Sequence, residues 1–261
     1  MPECRLCEHE KLLIWLRGFL AKVPVRVASA PLGIAPPRRA KACENVRQRQ
    51  PPLRASEDDG SDVDVFLNIP YDRYFVDLFL AYTAGLTSLG LFPRATLELA
   101  GGERRLDRTL DLIQRCRYSL HDLSRVEVDA SPAATPRFNM PFELGLAVAW
   151  QRAQPRRHTW FVFEARTRRI ERSLSDLSGT DVYVHHGRPS GVFSELTSAF
   201  VRPQRQPSVD QMKLVYKGLR EGIPKLMRNA GTKSAFKARV FDDLRVLARA
   251  LSDRHMDMRV K

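Results

Sequence analysis

Glu143 is a lone carboxylate in the run NMPFELG, Asn139 to Gly145, and its neighbours set it at the start of a helix. Asn139 is a good N-cap, Pro141 is tolerated in a first helical turn, and Leu144, Ala147, Val148 and Trp150 supply an apolar side for the turns that follow. Glu143 is therefore expected in the first turn, near the positive end of the helix dipole. A single acid held there is suited to chemistry on a sugar; the plainer alternative is a carboxylate that only complements the dipole. Further polar residues fall where strands would end: Asn68, Tyr71 and Asp72, then Glu98, then Asp122 and Ser124. Asp122 fits a turn cap as well as a ligand contact.

The elements that must position these residues alternate strand with helix. Val63 to Ile69 (VDVFLNI) is a near-continuous apolar run, the pattern of a strand buried on both faces of a parallel sheet. Arg73 to Gly90 reads as an amphipathic helix closed by Gly90, Phe92 to Leu99 as a second strand, and Arg104 to Cys116 as a helix with Leu106, Leu110 and Ile113 on one side. Arg117 to Ser124 alternates as a third strand, and VEVDASPAATPR after it is a loop. Thr159 to Ala165 and Asp181 to Gly187 read as strands four and five. This alternation predicts a doubly wound, mostly parallel α/β sheet, and in such sheets ligands bind beyond the carboxyl ends of the strands where their order reverses.

Three runs carry a resemblance. VFLNIPYD (Val65 to Asp72) resembles the first box of TIR domains. CRYSLHDLS (Cys116 to Ser124) followed by NMPFELGLAVA resembles the later half of TIR-like and nucleoside 2-deoxyribosyltransferase-like bacterial proteins. The likeness covers about residues 62–200 and implies a flavodoxin/TIR-like sheet. It also implies cleavage or transfer at an N-glycosidic bond of NAD, a nucleoside or a nucleotide. Glu143 then takes the part of the catalytic carboxylate, with Asn68, Tyr71, Asp72, Asp122, Ser124 and Asn139 binding ribose hydroxyls or base edges. Departure of a base leaves an oxocarbenium-like centre, which a carboxylate beneath it stabilises or captures covalently. No resident cofactor is implied, NAD entering as substrate, and related proteins often serve stress or antiphage responses. Asn139 stands where TIR enzymes often carry Trp, and Pro141 and Phe142 where deoxyribosyltransferases have small residues. Many TIR-type domains are inert sensors or assembly modules, which is the alternative reading.

Composition bounds the rest. The chain has 261 residues, 43% of them hydrophobic, enough to bury a sizeable core. Residues 1–61 are expected to be disordered or weakly ordered, because Ala30 to Ser61 is rich in Pro, Arg and charge and has few large apolar residues after Ile34. Lys11 to Lys22 is too short and too interrupted to span a bilayer, and Glu3, Glu8 and Glu10 ahead of it do not suit a secretory leader. Cys4 and Cys7 could supply half a zinc site, but Cys43 stands alone and Cys116 belongs to the expected core, so reduced thiols in a cytoplasmic protein are expected and no metal. His121, His185 and His186 have no evident metal partners in sequence.

The formal net charge is +13, and from Arg202 to Lys261 fifteen Lys and Arg face six Asp and Glu. That region, 201–261, reads as a basic extension of two helices, Met212 to Asn229 and Ser234 to Arg254, parted at Gly231. The second should bury Phe236, Val240, Phe241, Leu244, Val246, Leu247 and Leu251, leaving Lys237, Arg239, Arg245 and Arg249 on the surface. The partners expected are a nucleotide or nucleoside and no membrane, with a homo-oligomer left open. Nucleic acid is the less favoured partner, because no recognition motif accompanies the charge.

Overall fold

A computed structural model describes residues 63–98, 104–125, 138–202 and 206–257. The expected weakly ordered segment, Cys4, Cys7, Cys43, the Lys11 to Lys22 run and the loop at 126–137 lie outside the described residues. Five strands form one all-parallel sheet in the order β2-β1-β3-β4-β5, with β1 at Val63–Asn68, β2 at Leu91–Arg94, β3 at Tyr118–Asp122, β4 at Thr159–Glu164 and β5 at Val182–Val184. The helices are α1 (Val76–Ser88), α2 (Arg105–Arg115), α3 (Asn139–Ala153), the short α4 (Arg169–Ser173), α5 (Pro189–Ala199), α6 (Val209–Asn229) and α7 (Ala238–Asp257).

Side chains alternate across a strand, so each strand serves two cores. Val65, Leu67, Leu120, Phe161 and Phe163 face one side and join α1, α5, α6 and α7. Phe66 faces the other side and packs on Leu112 and Ile113 of α2 and Ala147 of α3. The fold is thus doubly wound, as alternation predicts.

The helix expected to be amphipathic is not. Every residue of α1 from Leu78 to Ser88 is buried, because α5, α6 and α7 cover the side that a two-layer fold would leave in water. The chain shows why: no charged residue occurs between Asp77 and Arg94. Met212, Val215, Leu219 and Ile223 of α6 and Val240, Phe241, Leu244 and Ala248 of α7 belong to the same core as the sheet. The basic C-terminal helices are therefore packed structure, and their lysines and arginines other than Arg245 occupy the outer faces.

Several expected boundaries move. β2 stops at Arg94 and forms an edge of the sheet, where Pro93 is tolerated, and Glu98 lies in the turn beyond it. Its carboxylate accepts from the Ala95 backbone N–H at 2.6 Å and from Arg94 Nε at 2.8 Å, so it closes the turn. α5 was not expected from the sequence; Pro189 opens it. α6 starts at Val209, set by a capping box in which Ser208 and Gln211 satisfy each other's backbone N–H groups. In α7, Val246 is 71% exposed while the Arg245 side chain is only 12% exposed, the reverse of expectation. At 100° per residue Val246 lies nearly opposite Leu244 and Ala248, so the apolar stripe cannot include it. Arg245 instead closes the β2 edge: it donates to the Pro93 carbonyl at 3.4 Å, pairs with Glu98 at 2.9 Å and stacks on Phe92. No helix among the described residues is long and apolar enough to cross a membrane.

Candidate functional site

The strand order reverses between β1 and β3, and the carboxyl ends of these two strands part there. Asn68 closes β1 and lies in register with His121 of β3, so both side chains project to the α2 and α3 side. Asn68 Nδ2 donates to His121 Nδ1 at 2.9 Å and to the Met140 carbonyl at 3.3 Å, tying β1 to the start of α3.

The His121 tautomer follows from a chain of bonds. The Cys116 carbonyl can only accept, so His158 Nδ1 donates to it at 3.0 Å and His158 Nε2 accepts from Ser119 Oγ at 2.9 Å. Ser119 Oγ then accepts from His121 Nε2 at 2.9 Å, which leaves His121 Nδ1 the acceptor for Asn68. Every member is neutral; burial, with His158 beside it, holds the His121 pKa down to about 3. With both amide hydrogens committed, Asn68 offers a ligand its carbonyl oxygen, which can accept from a sugar hydroxyl.

Glu143 rises beside this corner, buried at 5% exposure. α3 begins at Asn139 with Phe138 as N-cap and no side-chain cap, so Asn139 is the first helical residue rather than the cap, and Glu143 sits beyond the first turn. The dipole argument weakens accordingly, because that effect fades after one turn. What holds the carboxylate is Arg105 at the start of α2, whose Nη2 lies 3.7 Å from Oε1. Burial raises the Glu143 pKa above its ordinary 4.5, opposed by Arg105 and by a hydrogen bond from Asn139. Desolvation wins, which makes the carboxylate more basic and more nucleophilic than one in water.

Tyr71 joins the same corner, with the Arg105 guanidinium 6.0 Å from its ring centroid. Its hydroxyl shares a 3.2 Å bond with Thr96 Oγ1, its ring packs at a tilt against Phe236, and burial pushes its pKa up to about 12. Asp72 caps the turn after β1 by accepting from the Tyr74 N–H at 2.9 Å, and its second oxygen lies 3.3 Å from Arg125 Nε. The aromatic rings of Tyr74, Phe138 and Phe142 are exposed.

Asp122 and Ser124 belong to a different constellation. Asp122 is one residue past His121, so it projects to the α1 side, where it accepts from Tyr82 Oη at 2.7 Å and lies 3.1 Å from His185 Nε2. Its other oxygen accepts from the Ser124 N–H at 2.9 Å, the turn-capping role. Burial would raise its pKa, but the bonds to His185, Ser124 and Tyr82 outweigh it and hold the carboxyl below the usual 3.8. Ser124, His185 and Asp122 have the composition of a nucleophile triad but not its geometry. His185 Nδ1 accepts from the Gly187 N–H at 3.1 Å, so Nε2 carries the proton and faces both Asp122 and Ser124. No lone pair is left to take a proton from Ser124.

Asn68, Tyr71, Asn139 and Glu143 thus converge on the β1 and β3 corner, while Asp122 and Ser124 brace the sheet from the opposite face. Sequence reasoning missed Arg105 and His121. Period-two parity from Asn68 could have found His121, whereas nothing local marks Arg105 among the arginines of α2. Among the described residues no cluster of His, Cys, Asp and Glu could hold a metal ion, and Cys116 is buried in the α2 and α3 core. Comparison with known proteins adds no relative: no protein-family model matches the chain, and no curated protein matches it.

Proposed function

We propose that this chain binds a nucleotide or nucleoside at the corner between β1 and β3 and cleaves or transfers at its N-glycosidic bond, with Glu143 as the catalytic carboxylate. The observation that carries this reading is a buried, base-strengthened glutamate beside one cation at the topological switch point. In this reading Asn68 accepts from a ribose hydroxyl and Tyr71 and Arg105 wall the sugar. As the base departs, positive charge grows at the anomeric carbon, and the Glu143 carboxylate stabilises it or captures the carbon until water or an acceptor displaces it. NAD asks least of such a site: its nicotinamide is bound as a cation and leaves neutral, so no proton donor is needed. A deoxyriboside base would require one.

The Glu143 and Arg105 pairing favours a second reading, an inert nucleotide-sensing or assembly module in which Glu143 is a structural ion partner. One experiment separates the two. Purified full-length protein is incubated with NAD and with nucleosides beside Glu143→Gln, with free base followed by chromatography and binding by calorimetry. Base release by the parent chain and loss of about 100-fold or more in the variant support the enzyme. Binding without release above the variant's background leaves the module, and absence of both removes the site.

A further inference from the structure

Val246 is the odd residue of α7, apolar and 71% exposed on a helix whose other large apolar side chains face the core. At spacings of three, four and seven from it lie Arg239, Asp242, Asp243, Arg249, Ala250 and Asp253. All fall within about 60° of Val246 on the helix surface, so they form one face. Read along the chain, its charges run plus, minus, minus, then Val246, then plus, Ala250, minus. At spacings of three and seven, opposite signs therefore stand on either side of Val246, and at four Asp242 stands opposite Ala250.

We propose that this face docks a second copy of the chain, with the two α7 helices antiparallel about a two-fold axis at Val246. That arrangement sets Arg239 against Asp253 of the second copy and Arg249 against its Asp242 and Asp243, and the same pairs repeat by symmetry. A parallel arrangement stacks like on like. On its β2 side the face borders a groove of about 700 Å³ between Phe92 and α7, lined by Asp242, Arg245, Val246, Arg249, Ala250 and Asp253, which the second copy's α7 would cover while the two Val246 side chains meet at the axis. The occupant is not a polyanion, because the face holds three aspartates to two arginines within a region otherwise strongly basic. Within one copy Arg239 pairs with Asp243 at 3.7 Å and Arg249 with Asp253 at 3.6 Å along the helix, while Asp242 holds the mostly buried Arg245 and keeps that bond in the dimer. Exposed pairs of that kind contribute little, so exchanging them across an interface is nearly neutral, and the charges select register and orientation more than affinity. The docked copy also covers the edge strand β2, which lies against α7.

Sedimentation velocity on the full-length chain tests this. The parent chain should show a concentration-dependent monomer and dimer equilibrium, and Val246→Glu should raise its dissociation constant by roughly tenfold or more, because it sets two acids against each other. All the altered positions lie on the outer face, so the thermal melt should not change. Two further chains give the decisive reading: Arg239→Glu with Arg249→Glu makes an acidic face, and Asp243→Lys with Asp253→Lys a basic one. Each alone should be monomeric, and their mixture should form a one-to-one heterodimer. A parent chain that stays monomeric at every concentration, a dimer indifferent to Val246→Glu, or a mixture that does not associate overturns the proposal. None of these outcomes bears on the Glu143 corner.

Discussion

Glu143 and Asp122 are both buried carboxylates near strand ends, and their surroundings drive them in opposite directions. Burial outweighs Arg105 at Glu143 and raises its pKa above 4.5. Such a group contributes stability below the unfolded value and loses it as pH rises through the folded one. Glu143→Gln should therefore raise Tm at neutral pH, with a gain that grows from about pH 4.5 upward; a fall in Tm would mark the carboxylate as a structural partner of Arg105. Asp122 shows the other sign. Its hydrogen bonds hold its pKa below 3.8, so its contribution is present above that value and lost as pH falls through the folded one. Asp122→Asn sets an amide NH2 where one carboxylate oxygen accepted, facing either the Ser124 N–H or the Tyr82 and His185 donors, and should cost about 3 kcal/mol at pH 7, measured by urea unfolding. The difference should vanish in acid; a neutral result at pH 7 would show that Tyr82 and His185 do not depend on the charge.

At the scale of elements, β5 and α5 show how packing decides what composition leaves open. The fifth strand is only Val182–Val184, and α5 follows it through a turn in which His186 has φ 55° and Gly187 φ 66°. Gly191, inside α5, packs so close to the His185 backbone that a Cβ there would overlap its carbonyl. Gly191→Ala should thus destabilise by about 1–3 kcal/mol, although Ala is the better helix former by about 1 kcal/mol. A stabilising outcome in urea unfolding would mean that α5 yields at no cost. The substitution would also tug at His185, which holds Asp122. β1, β3, β4 and the apolar half of α3 were legible from periodicity, because buried parallel strands and 3.6-residue stripes are local patterns. β2 was overextended because Thr96 and Leu97 look like strand, while the turn is closed by the Glu98 carboxylate and Arg245 from about 150 residues away. α1 was misread as half-exposed because the helices that bury its outer side lie more than a hundred residues later.

For the whole molecule, the C-terminal helices matter most. α6 and α7 share one core with α1 and the sheet, so cutting the chain at Arg202 strips cover from Phe79 and its neighbours. A chain ending there should lose the cooperative thermal transition and bind hydrophobic dyes, as followed by near-UV circular dichroism. Retention of a sharp transition would show the sheet domain to be autonomous. The same packing means that lost nucleic-acid binding on such a truncation reports unfolding before it reports a basic surface.

The sequence by itself determined the α/β class, the strand and helix alternation, and the placement of Asn68 at the carboxyl end of a strand and of Glu143 near the start of a helix. Those properties follow from local periodicity and from connection rules that hold for any parallel sheet. The strand order, and with it the point of reversal, came from the tertiary structure. Only the tertiary structure decided which polar residues share a corner. A strand changes face with every residue, so His121 joins Asn68 while Asp122 turns to Tyr82 and His185. The cation that meets Glu143, the helices that seal α1, and the valine left in water on α7 were likewise settled by packing between segments far apart in the chain.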